Sequence, residues 1–124
     1  MGLLDKIMGN ASEVNAQEIH DELSTVLADN EQVLHAYKMV RDLYVFTNKR
    51  MIMIDKQGVT GKKVDYLSVP YKSITQFKVQ TAGNLDLDCE LKVWISGGAK
   101  PLEIELNSKL ATAVQKNLAN MMFQ

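Results

Sequence analysis

Cysteine is almost absent. Cys89 stands alone in 124 residues, so no disulfide can form within the chain. This excludes a disulfide-stapled fold and fits a reducing compartment. Two prolines and seven glycines are too few for a collagen-like or low-complexity chain. No apolar run approaches the roughly 20 residues of a membrane span. The start, Met1-Gly2-Leu3-Leu4-Asp5-Lys6, has no basic region followed by a long apolar one, so it does not read as a secretory signal. Position 6 is Lys rather than Ser or Thr, so Gly2 does not complete a myristoylation motif. The expected location is cytoplasmic. Excess charge is missing too: the net is −1, which excludes a polycation that would favour nucleic acid on charge alone. What remains is 46% apolar and 23% charged, an ordinary globular composition long enough for one domain overall.

The near-neutral total hides two opposed blocks. Residues 1–31 carry one cation, Lys6, against seven acids, for a net of −6. From Lys38 to Lys78, nine cations stand against Asp42, Asp55 and Asp65, for a net of +6. An acidic arm therefore precedes a basic block.

The apolar periodicity switches along the chain. Ile19, Leu23, Val26 and Leu27 fall at helical spacing, and Asn15 with Glu18 forms a capping-box-like start, which predicts a helix over Asn15–Asp29. A short helical turn is expected over 1–8, ended by Gly9-Asn10. From Glu31 the period is two, with strands expected at Gln32–Lys38, Asp42–Thr47, Arg50–Asp55, Val64–Val69 and Ser73–Gln80. Asn48-Lys49 makes a tight hairpin, and Pro70 ends the fourth strand. Leu85–Ser96 alternates most cleanly, with Leu85, Leu87, Cys89, Leu91, Val93 and Ile95 on one face. A turn at Ser96-Gly97-Gly98-Ala99 leads to a seventh strand through Leu102, Ile104 and Leu106. Ser108–Met122 returns to helical spacing, with Leu110, Ala113, Val114, Leu118 and Met121 as its buried stripe and Asn107 or Ser108 as cap.

Three stretches carry a resemblance. Phe46-Thr47-Asn48-Lys49-Arg50-Met51-Ile52, then Asp55-Lys56-Gln57-Gly58-Val59-Thr60-Gly61-Lys62-Lys63, then Val69-Pro70-Tyr71-Lys72-Ser73-Ile74 closely resemble the bacterial pleckstrin-homology domain family. The resemblance extends over essentially the whole chain. It implies a mainly β fold: a barrel of two orthogonal antiparallel sheets, seven strands in all, capped by a C-terminal helix. On this reading residues 1–30 form an added N-terminal helical arm and residues 31–124 the barrel with its closing helix. The resemblance also implies ring-forming homo-oligomers with no settled activity. The eukaryotic relatives bind phosphoinositides through basic residues around a long loop between their first two strands. Here that connection is Met39-Val40-Arg41 at most, with Lys38 and Arg41 its only cations, a departure that argues against inositol-phosphate binding.

The candidate sites divide by charge. Lys38, Arg41, Lys49, Arg50, Lys62, Lys63 and Lys72 could together hold anions, since most lie in or beside turns. The competing reading is a solvated surface or an intersubunit salt-bridge set, because no glycine-rich phosphate loop joins strand to helix. Asp86, Asp88 and Glu90 share the wet face of one strand. A straight strand sets them roughly 7 Å apart, too far for all three to close on one hard cation. With Trp94 on the same face they form a candidate oligomer interface, to which the arm adds Ile19, Leu23 and Leu27. His20 and His35 fall in different elements without ligand spacing, and Cys89 points to the apolar face, so all three read as structural. Met121, Met122 and Phe123 read as core, with a sticky tail for a partner as the alternative. No catalytic, metal or cofactor site is proposed from these patterns.

The leading expectation is a non-catalytic, self-assembling interaction domain whose partner is itself, with another protein as a further partner class. The alternative is an anion- or phospholipid-binding module at the membrane face. A small-molecule enzyme is a second alternative, for which the sequence offers no convergent titratable pair. Nucleic acid is not expected.

Overall fold

The computed structural model describes residues 12–39, 42–57, 63–81 and 89–123. It divides into two compact units, Met1–Val69 and Pro70–Gln124. The expected turn over 1–8, the glycine loop over 58–62 and the first part of the Leu85–Ser96 strand lie outside the described residues.

The first unit is a five-stranded antiparallel sheet in the order β1-β2-β3-β4-β5, with one helix. Its strands are β1 (Ser12–Val14), β2 (Val33–Met39), β3 (Asp42–Thr47), β4 (Arg50–Gln57) and β5 (Lys63–Pro70), and α1 covers Ala16–Glu22. The pairing Leu43↔Ile54 and Val45↔Ile52 across β3 and β4, continued by Ala36↔Val45 across β2, puts these side chains on one face. Ile19 and Leu23 close that face, and Val14, Ala16, Leu27 and Val64 pack around the cluster. The other face carries Tyr37, Tyr44, Phe46 and Met51, all buried, with Tyr37 and Phe46 edge to face at 6.0 Å. The central strands are therefore apolar on both faces, which their sequence shows as a near-continuous hydrophobic run rather than an alternation.

Two local expectations are corrected. The first helix ends at Glu22 rather than Asp29: Leu23 is its C-cap, and tight turns follow through Val26 N–H and Leu27 N–H to the Leu23 carbonyl. Ser24-Thr25 favours leaving the helix, and the Val26 carbonyl accepts from Arg50 instead of from a helical N–H. Val26 is consequently 46% exposed instead of lying in the buried stripe. The second correction is β1, a strand the periodicity does not show. Its three residues are too few to display a period, and its register Ser12↔Lys38, Glu13↔Tyr37 and Val14↔Ala36 exists only through β2. The described strands thus number eight, not seven.

The second unit is a three-stranded sheet, β6 (Ile74–Thr81), β7 (Cys89–Ile95) and β8 (Leu102–Leu106), followed by α2 (Ser108–Met122). Cys89, Leu91, Val93, Ile104 and Leu106 are buried, as are Leu110, Ala111, Val114 and Leu118 of the helix. The helical stripe is as read except that Ala111 replaces Ala113 at its centre, and Met121 is half-buried. Phe123, read as core, is 72% exposed and stacks on Phe77 at 6.4 Å. It sits at the C-cap, past the turn that would aim it inward. Gly97 adopts φ +82° in the turn after β7, a conformation that suits glycine.

Asn107 caps α2, its Oδ1 accepting from the Leu110 N–H at 2.8 Å. Asn107→Ala should lower stability by about 1 kcal/mol, measured as a shift in the urea midpoint with an unchanged slope.

Candidate functional site

The polar chemistry of the first unit converges on the β3–β4 turn, Thr47-Asn48-Lys49-Arg50. At its centre is Glu31, whose side chain is 0% exposed. A bare carboxylate there would be costly, so each oxygen needs donors. Oε2 accepts from Thr47 Oγ1 at 2.6 Å and Arg50 Nε at 2.9 Å. Oε1 accepts from the Ala28 N–H at 2.8 Å and Arg50 Nη2 at 3.0 Å. This is the two-pronged arginine–carboxylate geometry, with two further donors closing the set. Burial pushes the Glu31 pKa up, but the bonds from Arg50, Thr47 and Ala28, together with the arginine's charge, outweigh it. They hold the pKa at about 2, below the ordinary 4.5.

The rest of the turn grips the same segment. Asn48 N–H donates to the Gln32 carbonyl at 3.1 Å, and Asn48 Oδ1 accepts from the Gln32 N–H at 2.7 Å. Asn48 Nδ2 donates to the Asn30 carbonyl at 3.1 Å, and Lys49 Nζ to the Asp29 carbonyl at 3.1 Å. Arg50 Nη2 also reaches the Val26 carbonyl at 2.9 Å, and Nη1 the Ser68 hydroxyl at 2.7 Å. Thr47 Oγ1 accepts from the Lys49 and Arg50 N–H groups, which sets the turn itself. All four side chains are therefore engaged in fastening residues 26–32. Asn30, at φ +63°, bends the segment into place.

The described cations of the expected anion site have separate placements. Arg50 is committed to Glu31, Val26 and Ser68. Lys49 is exposed but tied to the Asp29 carbonyl. Lys38 is 2% exposed. Its register opposite Leu43 puts it on the Ala36 face of the sheet, and burial lowers its pKa from 10.5. Lys63 and Lys72 are exposed, and belong to different units. Arg41 and Lys62 lie outside the described residues.

The interface candidates also part. Ile19 and Leu23 are buried in the chain's own core and present no surface to a second subunit, while Leu27 is half-buried at its margin. Glu90 and Trp94 are half-buried on β7, and Lys92 between them reaches Glu90 at 3.7 Å and Glu103 at 3.9 Å. Asp86 and Asp88 lie outside the described residues. His20 Nδ1 accepts from the Val33 N–H at 3.4 Å, and His35 lies 3.7 Å from Glu13, so both serve local structure. Cys89 is buried, as its strand face requires. Among the described residues no group of three His, Cys, Asp or Glu side chains converges, and no helix is long and apolar enough to cross a membrane.

Sequence reasoning missed Glu31. It counts there only as one acid among seven, and its partner is 19 residues away. The one local signal is its position: a carboxylate three residues after Ala28, able to accept that residue's N–H, directly ahead of an apolar strand.

Comparison with known proteins agrees with the resemblance. The model of the family described as "Bacterial PH domain" matches residues 2–122. The uncharacterized protein YjqA of Bacillus subtilis is 54% identical over 101 residues, which is 82% of this chain and 81% of that one. The uncharacterized protein YozO of the same organism is 33% identical over 90 residues, covering 73% and 78%. The crystal structure of a DUF1696 family protein with a pleckstrin-homology domain from Shewanella loihica is similar with a TM-score of 0.82 at 56% identity, over 92% of this chain and 98% of that one. A pleckstrin homology domain from Shewanella amazonensis gives 0.80 at 56% identity, over 98% of both.

Two outcomes follow from the ionised groups. Glu31 has a lowered folded pKa, so its stabilisation is complete above the unfolded value of 4.5 and is lost as pH falls toward 2. Urea midpoints measured across this range should fall steeply in the wild type and much less in Glu31→Gln. Arg50→Ala, which strands the buried carboxylate, should cost about 3–5 kcal/mol. Lys38 has linkage of the same sign in an alkaline window: its lowered folded pKa makes stability rise with pH as the amine sheds its proton, up to the unfolded value of 10.5. Lys38→Met should flatten that alkaline rise in the same assay.

Proposed function

Because the chain belongs to the bacterial PH domain family, we propose that it is a non-catalytic interaction domain that assembles with copies of itself into a closed ring in the cytoplasm. The observation that carries this reading is β5. It is eight residues long and ends its sheet, yet of its side chains only Val69 is buried. Tyr66 and Leu67, on opposite faces, are 50% and 45% exposed. A long edge strand with exposed apolar side chains invites another strand, and isolated proteins normally blunt such edges.

A ring needs a heterologous contact, one edge meeting a different one. The sheet offers two unlike ends. The β1 end carries exposed Glu13, Glu18 and Asp21, with no lysine or arginine among residues 12–31. The β5 strand carries exposed Lys63 and exposed Asp65, which cancel. With Arg50 and Lys38 held inside the unit and Lys49 tied to the Asp29 carbonyl, the two ends differ as acidic against neutral, so the contact rests on strand pairing and on Tyr66 and Leu67 more than on charge.

Sedimentation equilibrium combined with native mass measurement tests the reading. The expected result is one closed oligomer of fixed subunit number. A monomer at high protein concentration would overturn it.

A further inference from the structure

The second unit keeps its acids away from its helix. The buried side chains of α2, Leu110, Ala111, Val114 and Leu118, lie on the side of the helix that packs over β6, β7 and β8. Glu90, Glu103 and Glu105 alternate with buried Cys89, Leu91, Ile104 and Leu106, so they stand on the sheet face turned from that helix. These three are the only acids among the unit's described residues, and α2 itself contains no Asp or Glu.

The outward side of α2 has the opposite character. Lys109, Lys116 and the C-cap Phe123 are spaced by seven, so they fall on one line opposite the buried stripe, over roughly 21 Å. All three are exposed, Phe123 the most at 72%. Exposed Lys72 lies in the short 3-10 turn Tyr71–Ser73, which packs against α2. Among the described residues none of these three lysines has a carboxylate partner. Phe123 rests on Phe77 at 6.4 Å, beside half-buried Met122, so the line ends in an apolar tip.

We propose that this side of α2 docks on an anionic lipid surface, with Lys72, Lys109 and Lys116 on the headgroups and Phe123 in the interfacial layer. Charge complementarity is uncancelled here, because every described acid of the unit is on the far sheet face. Size favours a lipid plane over a protein. A line of three protruding side chains falls well short of the roughly 800 Å² per partner that a stable protein interface buries. A fluid lipid layer needs no matching shape: its anionic headgroups gather around mobile lysine stems, and aromatic rings favour its interface. The docking does not depend on the ring reading, since a single copy carries the whole surface.

Vesicle flotation tests it on the full chain. Wild type should float with vesicles of equal parts phosphatidylglycerol and phosphatidylcholine, stay behind with pure phosphatidylcholine, and be released as salt is raised. Lys109→Gln combined with Lys116→Gln should weaken partitioning at least about thirtyfold, near fivefold for each lysine. Phe123→Ser should weaken it at least about tenfold. Both variants change exposed side chains and should melt within about 2 °C of wild type. Lys63→Gln combined with Lys78→Gln removes as much charge elsewhere and should leave partitioning within about twofold. Absence of flotation with the anionic vesicles overturns the proposal. Flotation that the α2 lysine pair or Phe123→Ser leaves intact overturns it, as does an equal loss in the Lys63/Lys78 control. Binding to polyglutamate without flotation overturns it in favour of an acidic protein partner.

Discussion

The carboxylate of Glu31 is the constraint on which the first unit depends. It is removed from water completely and stays ionised because four donors from three residues, in two separate segments, close on it. A buried pair of this kind adds little net stability compared with well-packed apolar side chains, since desolvation offsets most of the attraction. What it adds is definition. The carboxylate is satisfied only when the Ala28 turn, the Thr47–Arg50 turn and the strands that carry them are all in place, so any slipped register leaves a charge stranded in the core. The helix ending at Glu22, the bend at Asn30 and the entry into β2 are all consistent with this one requirement.

The same requirement changes what the basic block is. Read along the chain, its cations form one patch; in the fold they serve different ends. Arg50 neutralises a buried acid, Lys49 caps a carbonyl, and Lys38 lies on the inner face of the sheet. The acidic arm and basic block cancel in part because one member of each is paired inside the fold. Net charge counts these residues as surface; burial takes them off it.

The elements that were legible in the sequence share a cause. The strand Asp42–Thr47 and the helix Ser108–Met122 have the bounds that periodicity assigns, and Cys89 lies on the buried face of its strand. In each, many residues repeat one local choice of inside or outside, so errors average out. Elements that depend on a few residues were not legible. β1 has three residues and no period of its own, the first helix stops where an arginine 24 residues away takes a carbonyl, and Phe123 falls one residue past the turn that would bury it.

The sequence by itself determined the fold family, the mainly β architecture and the closing helix, because hydrophobic periodicity and turn chemistry are local and repeat along the chain. It also contained the Thr47-Asn48-Lys49-Arg50 turn as a recognisable string, without its meaning. Only the tertiary structure decided that this turn clamps residues 26–32, that Lys38 lies inside, and that Tyr66 and Leu67 of β5 are left exposed. These are facts about which side chains meet across gaps of 16 to 24 residues. Burial and hydrogen bonding depend on that meeting, and no local pattern encodes it.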